Sequence, residues 1–78
     1  MDDNLSNYYC NLVKKNLKRL KNERNWSITK MALVLGLSES YLGHLLSLKS
    51  PKTPSIQLLG AICGRANVQI TYFFENEK

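Results

Sequence analysis

The sequence is poor in the residues that build cross-linked or membrane-spanning proteins. Its 78 residues include only two cysteines, two prolines and four glycines. Cys10 and Cys63 lie far apart, form no CxxC motif and have apolar neighbours, which predicts reduced, buried thiols and no zinc site. The longest apolar run, Met31 to Leu35, has five residues, and Met1 is followed by two aspartates. We therefore expect no membrane span, no signal peptide and a cytoplasmic protein.

Catalytic motifs are equally scarce. The chain has one histidine and contains no GxSxG, GxGxxG or phosphate-binding loop. No pair of acidic residues is placed for acid–base chemistry, and the single histidine has no second metal ligand near it in the sequence. We therefore predict that the protein is not an enzyme and that it has no metal, no cofactor and no small-molecule ligand.

Positive charge is the first property present in excess. Eleven Lys and Arg against six Asp and Glu give a net charge of +5. Residues 14–24 hold six basic residues against Glu23, and Lys49 and Lys52 form a second basic cluster. Such an excess favours a polyanionic partner, although a solvated helix face explains the composition equally well.

Apolar residues recur at helical spacing along most of the chain. A first helix is predicted over residues 7–24 with Ser6 as a possible cap. Its inward side chains would be Tyr9, Leu12, Val13, Leu17 and Leu20. Three later helices should each follow a serine that can cap the first turn: Ser27, Ser38 and Ser55. The inward side chains of the last of these would be Ile56, Leu59, Ile62, Cys63 and Ala66.

This pattern predicts a compact all-α fold. Residues 68–74 are rich in β-branched and aromatic side chains, but a single strand would have no partner, so a short final helix is expected there. Five helices would then form one domain over residues 9–74. An N-terminal extension at residues 1–8 would precede the domain, and a frayed tail at residues 75–78 would follow it.

The second and third helices are joined by a turn at Gly36. Glycine adopts a positive φ at no steric cost, and Ala32, four residues earlier, allows the two helices to cross closely. A shared core would be closed by Met31, Leu35, Leu37, Leu42 and Leu45. This spacing is typical of a helix-turn-helix, although a simple αα-hairpin could also produce it.

The stretch from Leu17 to about Phe74 resembles the helix-turn-helix domain of regulators of the Cro and lambda-repressor type. The segments that carry the resemblance are NLKRLKNERNWS, MALVLGLSESYLGHLL, TPSIQLLGAIC and NVQITYFFE. The resemblance implies a five-helix lambda-repressor-like bundle that binds DNA and regulates transcription. The sequence departs from the family at Ile28, where Gln is frequent, and at Leu46 and Leu48, where Glu and Gly are frequent.

The resemblance also implies that the third helix enters the major groove of double-stranded DNA. The base-reading residues would be Ser38, Glu39, Ser40, Gly43, His44 and Ser47. Glu39 can accept a hydrogen bond from cytosine N4, and the His44 ring can donate or accept. Both residues could equally be solvated surface residues without a partner.

Contacts to DNA phosphates would flank this helix. The candidates are Ser27, Thr29, Lys30, Tyr41, Lys49, Ser50, Lys52 and Thr53. The first three begin the second helix, where main-chain amides can bind a phosphate, and the last four follow the third helix. Tyr41 could either direct its hydroxyl to a phosphate or pack its ring in the core.

One recognition helix reads only half a site, so a homodimer on a pseudo-palindromic operator is expected. Its interface would be formed by Tyr72, Phe73 and Phe74. The length suits a small stand-alone repressor, such as a phage repressor, a restriction-modification controller or an antitoxin. The alternative function is a helical protein-interaction module whose basic first helix binds an acidic partner, since residues 38–48 contain no Lys or Arg.

Overall fold

The computed structural model describes residues 3–76, with side chains described from Asn7 onward. Its elements are α1 (Asp3–Glu23), α2 (Ile28–Leu35), α3 (Glu39–Leu46), α4 (Ile56–Ala66) and the 3₁₀ helix η1 (Ile70–Phe74). The all-α prediction is confirmed, and these described residues contain no strand. The fifth predicted helix is present only as the short segment η1, and α3 ends before the expected Leu48.

Helix α1 begins earlier in the chain than the sequence predicts. It starts at Asp3 rather than at residue 7, so Ser6 lies inside the helix and does not cap it. The helix therefore includes most of the predicted extension at residues 1–8, of which Met1 and Asp2 lie outside the described residues.

Serine caps begin the three later helices, as predicted. Ser27, Ser38 and Ser55 have extended backbone conformations. Each hydroxyl accepts a hydrogen bond from the amide three residues further on, at 3.0 Å, 3.1 Å and 3.0 Å respectively. Each bond satisfies an amide that has no partner inside its helix, and together they define where α2, α3 and α4 begin.

The core lies between α1 and the shorter elements, because α1 contacts α3 and η1 while α2 contacts α3 and α4. Its buried cluster consists of Val13, Leu17, Leu20, Met31, Ala32, Leu35, Leu42, Leu45, Leu46, Leu59, Ile62, Ala66 and Phe73. Two residues predicted to face inward do not. Tyr9 is 47% exposed and Ile56 is 71% exposed. Ile56 is the first residue of α4, and Tyr9 lies in the early part of an α1 that is longer than the helices packed on it.

Phe73 closes the core at the C-terminal end. Its ring is fully buried, at 0% exposure, so the prediction that this side chain forms a dimer interface is wrong. The buried side chain of Asn16 on α1 holds the same segment. Its Nδ2 donates to the carbonyls of Phe73 and Glu75, both at 2.9 Å. These two bonds tie η1 to the middle of α1.

Tyr72 is also engaged within the chain. The guanidinium of Arg19 lies 4.0 Å from its ring centroid, and its hydroxyl donates to Glu23 Oε1 at 2.6 Å. Burial and the bond to Glu23 raise the pKa of Tyr72 to about 12. Of the three predicted interface residues, Phe74 is the one with an exposed ring.

The tail predicted to be frayed is held at its first residue. Glu75 forms an ion pair with Arg19 at 2.7 Å, in addition to its main-chain bond to Asn16. The Tyr8 hydroxyl donates to the side chain of Asn76. Residues 77–78 lie outside the described part of the chain.

Candidate nucleic-acid interface

Helices α2 and α3 are joined by the left-handed turn that the sequence predicts. Gly36 has φ +70°, and its amide donates to the carbonyls of Ala32 and Leu33. The amide of Leu37 donates to the Ala32 carbonyl at 2.9 Å. These bonds satisfy the last carbonyls of α2 and turn the chain into α3. The guanidinium of Arg65 lies against this turn, with Nη1 3.3 Å from where a Cβ on Gly36 would stand.

Helix α3 has an apolar inner side and a polar outer side. Leu42, Leu45 and Leu46 are buried. Among the predicted base readers, Ser38, Glu39, Ser40 and His44 are exposed, whereas Gly43 and Ser47 are half-buried. The Ser38 hydroxyl already accepts from the Tyr41 amide, so its oxygen serves the cap. The structure therefore places all six predicted readers on one short helix and its two caps.

Hydrogen bonds order the loop that follows α3. Nδ1 of His44 and Oγ of Ser50 are 3.1 Å apart. Ser50 Oγ also accepts from the Lys52 amide at 3.3 Å, and Ser47 Oγ accepts from the Lys49 amide at 3.2 Å. Ser50 Oγ keeps its proton and a second lone pair for this contact, so His44 Nδ1 can either accept from it or donate to it. In the tautomer in which Nδ1 accepts, Nε2 of His44 carries the proton and can donate.

A shallow groove with a basic rim runs beside α3. It is lined by Lys18, Ile28, Gly43, Leu46, Ser47, Leu48 and Lys49. Lys18 belongs to α1 and was not among the predicted contact residues. The sequence marked Lys18 only as one of the basic residues at positions 14–24. The packing of α1 on α3 brings it to the groove. Lys18 and Lys49 thus place positive charge next to Gly43, where no side chain blocks approach.

The other predicted phosphate contacts occupy two segments. Ser27, Thr29 and Lys30 are exposed at the start of α2, although the Ser27 hydroxyl serves the cap. In the loop after α3, Lys49 and Lys52 are exposed, whereas Ser50 and Thr53 are half-buried. Tyr41 is half-buried and packs against the core cluster, as the packing alternative for its ring expects.

Half of the basic residues between positions 14 and 24 are used inside the molecule. Lys14, Arg19 and Arg24 each donate to a carbonyl of another element, at α3, η1 and α4 respectively. The distances are 2.8 Å, 3.3 Å and 2.8 Å. Sequence reasoning missed these roles because a basic run normally indicates a solvated face. The available signal was the position of Lys14 on the apolar stripe, three residues before Leu17.

A family model described as helix-turn-helix matches residues 17–73, which is more than half of the chain. The chain belongs to the helix-turn-helix family of the Cro and lambda-repressor type. The matched helix-turn-helix region runs from α1 to η1 and includes the Gly36 turn and all of α3. As a member of this family, the protein is a DNA-binding regulator of transcription. No curated protein sequence matches the chain.

Neither a membrane-spanning helix nor a group of metal ligands is found in the part of the chain that the structure describes. Within residues 3–76, no helix is long and apolar enough to cross a membrane. In the same part of the chain, no three His, Cys, Asp or Glu side chains are grouped as metal ligands. Cys10 and Cys63 are free and half-buried, and burial raises the pKa of the Cys63 thiol.

Proposed function

We propose that this helix-turn-helix protein is a homodimeric repressor that reads a pseudo-palindromic operator with α3. The observation that carries the proposal is the outer side of α3, where exposed polar side chains lie beside Gly43 and the basic rim of Lys18 and Lys49. A glycine allows close approach of the helix backbone to base edges, and flanking lysines suit the phosphates on either side of a major groove. We therefore name α3 the recognition helix.

Glu39 and His44 are the proposed base readers. Glu39 is exposed in the first turn, where its carboxylate can accept from cytosine N4. His44 lies one turn later, and its Nε2–H can donate to a purine acceptor such as guanine O6. Ser38, Ser40 and Ser47 would make weaker contacts, because a hydroxyl can pair with several bases.

Phosphate contacts are proposed on both sides of the recognition helix. The exposed residues at the start of α2 offer main-chain amides and the Lys30 ammonium. The loop after the recognition helix offers Lys49, Lys52 and the hydroxyls of Ser50 and Thr53. To these residues, all inferred from the sequence, we add Lys18, a proposal supported by its position on the rim of the groove.

An apolar groove beside Phe74 is the proposed contact with a second copy of the chain. It is lined by Tyr9, Cys10, Val13, Thr53, Pro54, Ile56, Leu59 and Phe74. Tyr9, Ile56 and Phe74 are exposed, and the rings of Tyr9 and Phe74 meet edge to face with centroids 6.4 Å apart. Covering these side chains would remove apolar surface from water. Two recognition helices would then face two half-sites, as expected of a small stand-alone repressor, a controller or an antitoxin.

The decisive experiment is a selection of bound duplexes from random sequence, followed by affinity measurements on single-base variants of the selected operator. We expect Glu39→Ala to lose about 1–3 kcal/mol of discrimination at one base pair of each half-site. Its affinity for random duplex should be unchanged or higher, because a negative charge is removed. His44→Ala should lose discrimination at a different base pair. Gln57→Ala, an exposed change on α4, is the control and should keep every wild-type preference.

Two results would contradict the proposal in different ways. If Glu39→Ala and His44→Ala both keep the wild-type preference at every position, the recognition helix is not the reading surface. If the selection enriches no sequence, the result supports the alternative of a protein-interaction module. That alternative depends on the basic first helix, and three of its cations between positions 14 and 24 already bind carbonyls of the same chain.

A further inference from the structure

The C-terminal end of the recognition helix differs from the other helix ends. Helices α1, α2 and α4 are each followed by a residue with positive φ: Asn25 at 55°, Gly36 at 70° and Asn67 at 58°. After each of these residues the next amide donates to a carbonyl of the last turn, at 3.0 Å, 2.9 Å and 3.1 Å. The recognition helix is instead followed by Ser47 with φ −86° and ψ 125°, an extended residue. The chain leaves this helix without folding back over its carbonyls.

Lys14 supplies hydrogen-bond donors that such a turn would otherwise provide. Its ammonium donates to the carbonyl of His44 at 2.8 Å and to that of Leu45 at 3.4 Å. Both carbonyls belong to the last turn, for which the helix has no amides of its own. Lys14 is only 2% exposed, and burial lowers the pKa of its ammonium.

Among residues 7–76 the buried ammonium has no acidic partner to offset its desolvation. Between residues 7 and 76 the ion pair present is Arg19 with Glu75, and the two acceptors of Lys14 are both carbonyls. Its charge is balanced by those carbonyls and by the negative end of the helix macrodipole. A hydrophobic side chain at this position would avoid the desolvation of a charge. An ammonium can donate to the carbonyls of the recognition helix, whereas a hydrophobic side chain cannot. This contact therefore accounts for the presence of a lysine at this buried position.

We propose that Lys14 is a positioning residue for sequence readout, which acts by holding the last turn of the recognition helix against α1. His44 provides both a carbonyl that Lys14 binds and a ring that we propose to read a base. A displacement of this turn would therefore move the reading ring directly. The inference rests on the proposed function and requires no contact between Lys14 and DNA.

The test compares Lys14→Met with Lys15→Met and Lys14→Arg. Methionine retains much of the length of lysine and suits an apolar site, but it provides neither charge nor donor. Lys15 is the adjacent exposed residue, so its substitution removes the same charge without touching the recognition helix. Lys14→Arg keeps both the charge and the donors, and it serves as the rescue. Helical circular dichroism establishes that each variant is folded before DNA is added.

Two quantities are measured for each variant: the ratio of operator affinity to random-duplex affinity, and amide hydrogen exchange in the free protein. For Lys14→Met we expect the ratio to fall about tenfold while random-duplex affinity changes by less than about threefold. Exchange should accelerate at the amides of Leu45, Leu46 and Ser47 but not in α2. Lys15→Met should keep both the wild-type ratio and the wild-type exchange pattern, and Lys14→Arg should recover most of the ratio.

The outcomes separate the two proposals. A Lys14→Met protein with the wild-type ratio overturns the role of Lys14. Equal losses for operator and random duplex, with faster exchange in every helix, overturn it too, because they indicate general destabilisation. If Lys14→Met does not fold, Lys14→Gln, which keeps a neutral donor, is measured against the same expectations. A wild-type protein without any preferred duplex contradicts the proposed function itself.

Discussion

Basic side chains between positions 14 and 24 differ in where they place their charge. Lys15 and Lys18 are exposed, whereas Lys14, Arg19 and Arg24 donate to carbonyls of other elements. The cluster is therefore not one continuous basic face. Neutralising all of these residues together would disturb three tertiary contacts as well as the surface potential. Single substitutions are needed to separate DNA affinity from folding.

Tyr72 makes stability depend on alkaline pH in a predictable direction. Its pKa is raised to about 12 by burial and by the bond to Glu23, against about 10 in an unfolded chain. The folded protein therefore holds this proton more tightly, so the stabilisation is complete below pH 10 and is lost as pH rises to 12. We expect wild type to lose about 1–2 kcal/mol relative to Tyr72→Phe across this range, because solvent screens the partly exposed hydroxyl.

Urea unfolding of both proteins from pH 9 to pH 12 measures this difference. The titration of all other groups is common to the two proteins and cancels when their unfolding free energies are subtracted. A difference that stays constant with pH would show that the Tyr72 hydroxyl has the same proton affinity in the folded and unfolded chain.

Among the connections between helices, the turn between α2 and the recognition helix depends most directly on one residue type, glycine. Gly36 has a positive φ, and Nη1 of Arg65 lies 3.3 Å from where a Cβ on Gly36 would stand. Gly36→Ala should lower the free energy of unfolding by about 1–2 kcal/mol, because an L side chain is strained in this conformation. Gly64→Ala is the matched control. It lies inside α4 with open space around the added methyl group and should raise stability by up to about 1 kcal/mol.

Chemical unfolding of the two glycine variants measures whether the free energy of unfolding falls in Gly36→Ala and rises in Gly64→Ala. Equal effects of Gly36→Ala and Gly64→Ala on stability would contradict the requirement for glycine in the turn. A loss of operator binding by Gly36→Ala at a temperature where it remains folded would additionally link the turn angle to DNA recognition.

The beginnings of the helices were predictable because they depend on local chemistry. A serine that precedes apolar residues at helical spacing can cap the first turn of the helix with its own hydroxyl. Ser27, Ser38 and Ser55 could therefore be identified as caps without tertiary information. The contacts of Lys14 and Asn16 could not, because their acceptors are carbonyls that lie 30 or more positions away in the sequence. Main-chain carbonyls carry no residue identity, and no sequence pattern marks them as acceptors.

The candidate site was predictable to a similar degree. The polar outer side of the recognition helix follows from its period, and the structure brings all of its predicted readers together. The sequence could not show which aromatic side chains near the C-terminal end are buried and which are exposed, because Tyr72, Phe73 and Phe74 are chemically alike. Only packing on α1 distinguishes the buried ring of Phe73 from the exposed ring of Phe74.

The molecule as a whole carries a net charge of +5, so its DNA affinity should fall steeply with salt. Counterions are released from each phosphate that a cation neutralises. We expect Lys18→Ala, Lys49→Ala and Lys52→Ala each to lower affinity for all duplexes and to reduce the salt slope by about one. Lys15→Ala removes the same charge outside the groove of the recognition helix and should leave the slope nearly unchanged.

Titration of a random duplex between about 50 mM and 200 mM salt measures these slopes. An affinity that does not vary with salt would rule out a phosphate-dominated interface. Equal slope changes for Lys15→Ala and Lys18→Ala would indicate that charge acts through the overall potential rather than at the groove.

Assembly is the second property of the whole molecule that can be measured directly. Phe74→Asp places a charge in the apolar groove with Tyr9 and Ile56, so it should shift a dimer towards monomer. Ile70→Asp is the matched control, since Ile70 is exposed on η1 but does not line that groove. Sedimentation analysis with and without operator DNA gives the stoichiometry. A dimer that survives Phe74→Asp and dissociates in Ile70→Asp would place the interface on the other side of η1.

The hydrogen bonds from Asn16 to the carbonyls of Phe73 and Glu75 join two segments that a ribosome makes at different times. Helix α1 is translated before these carbonyls, so its apolar stripe lacks the Phe73 partner until η1 has been made. The recognition helix is translated before that moment, at a time when the core behind it is still open. We therefore expect the domain to close its core only after η1 has left the ribosome, rather than helix by helix during translation.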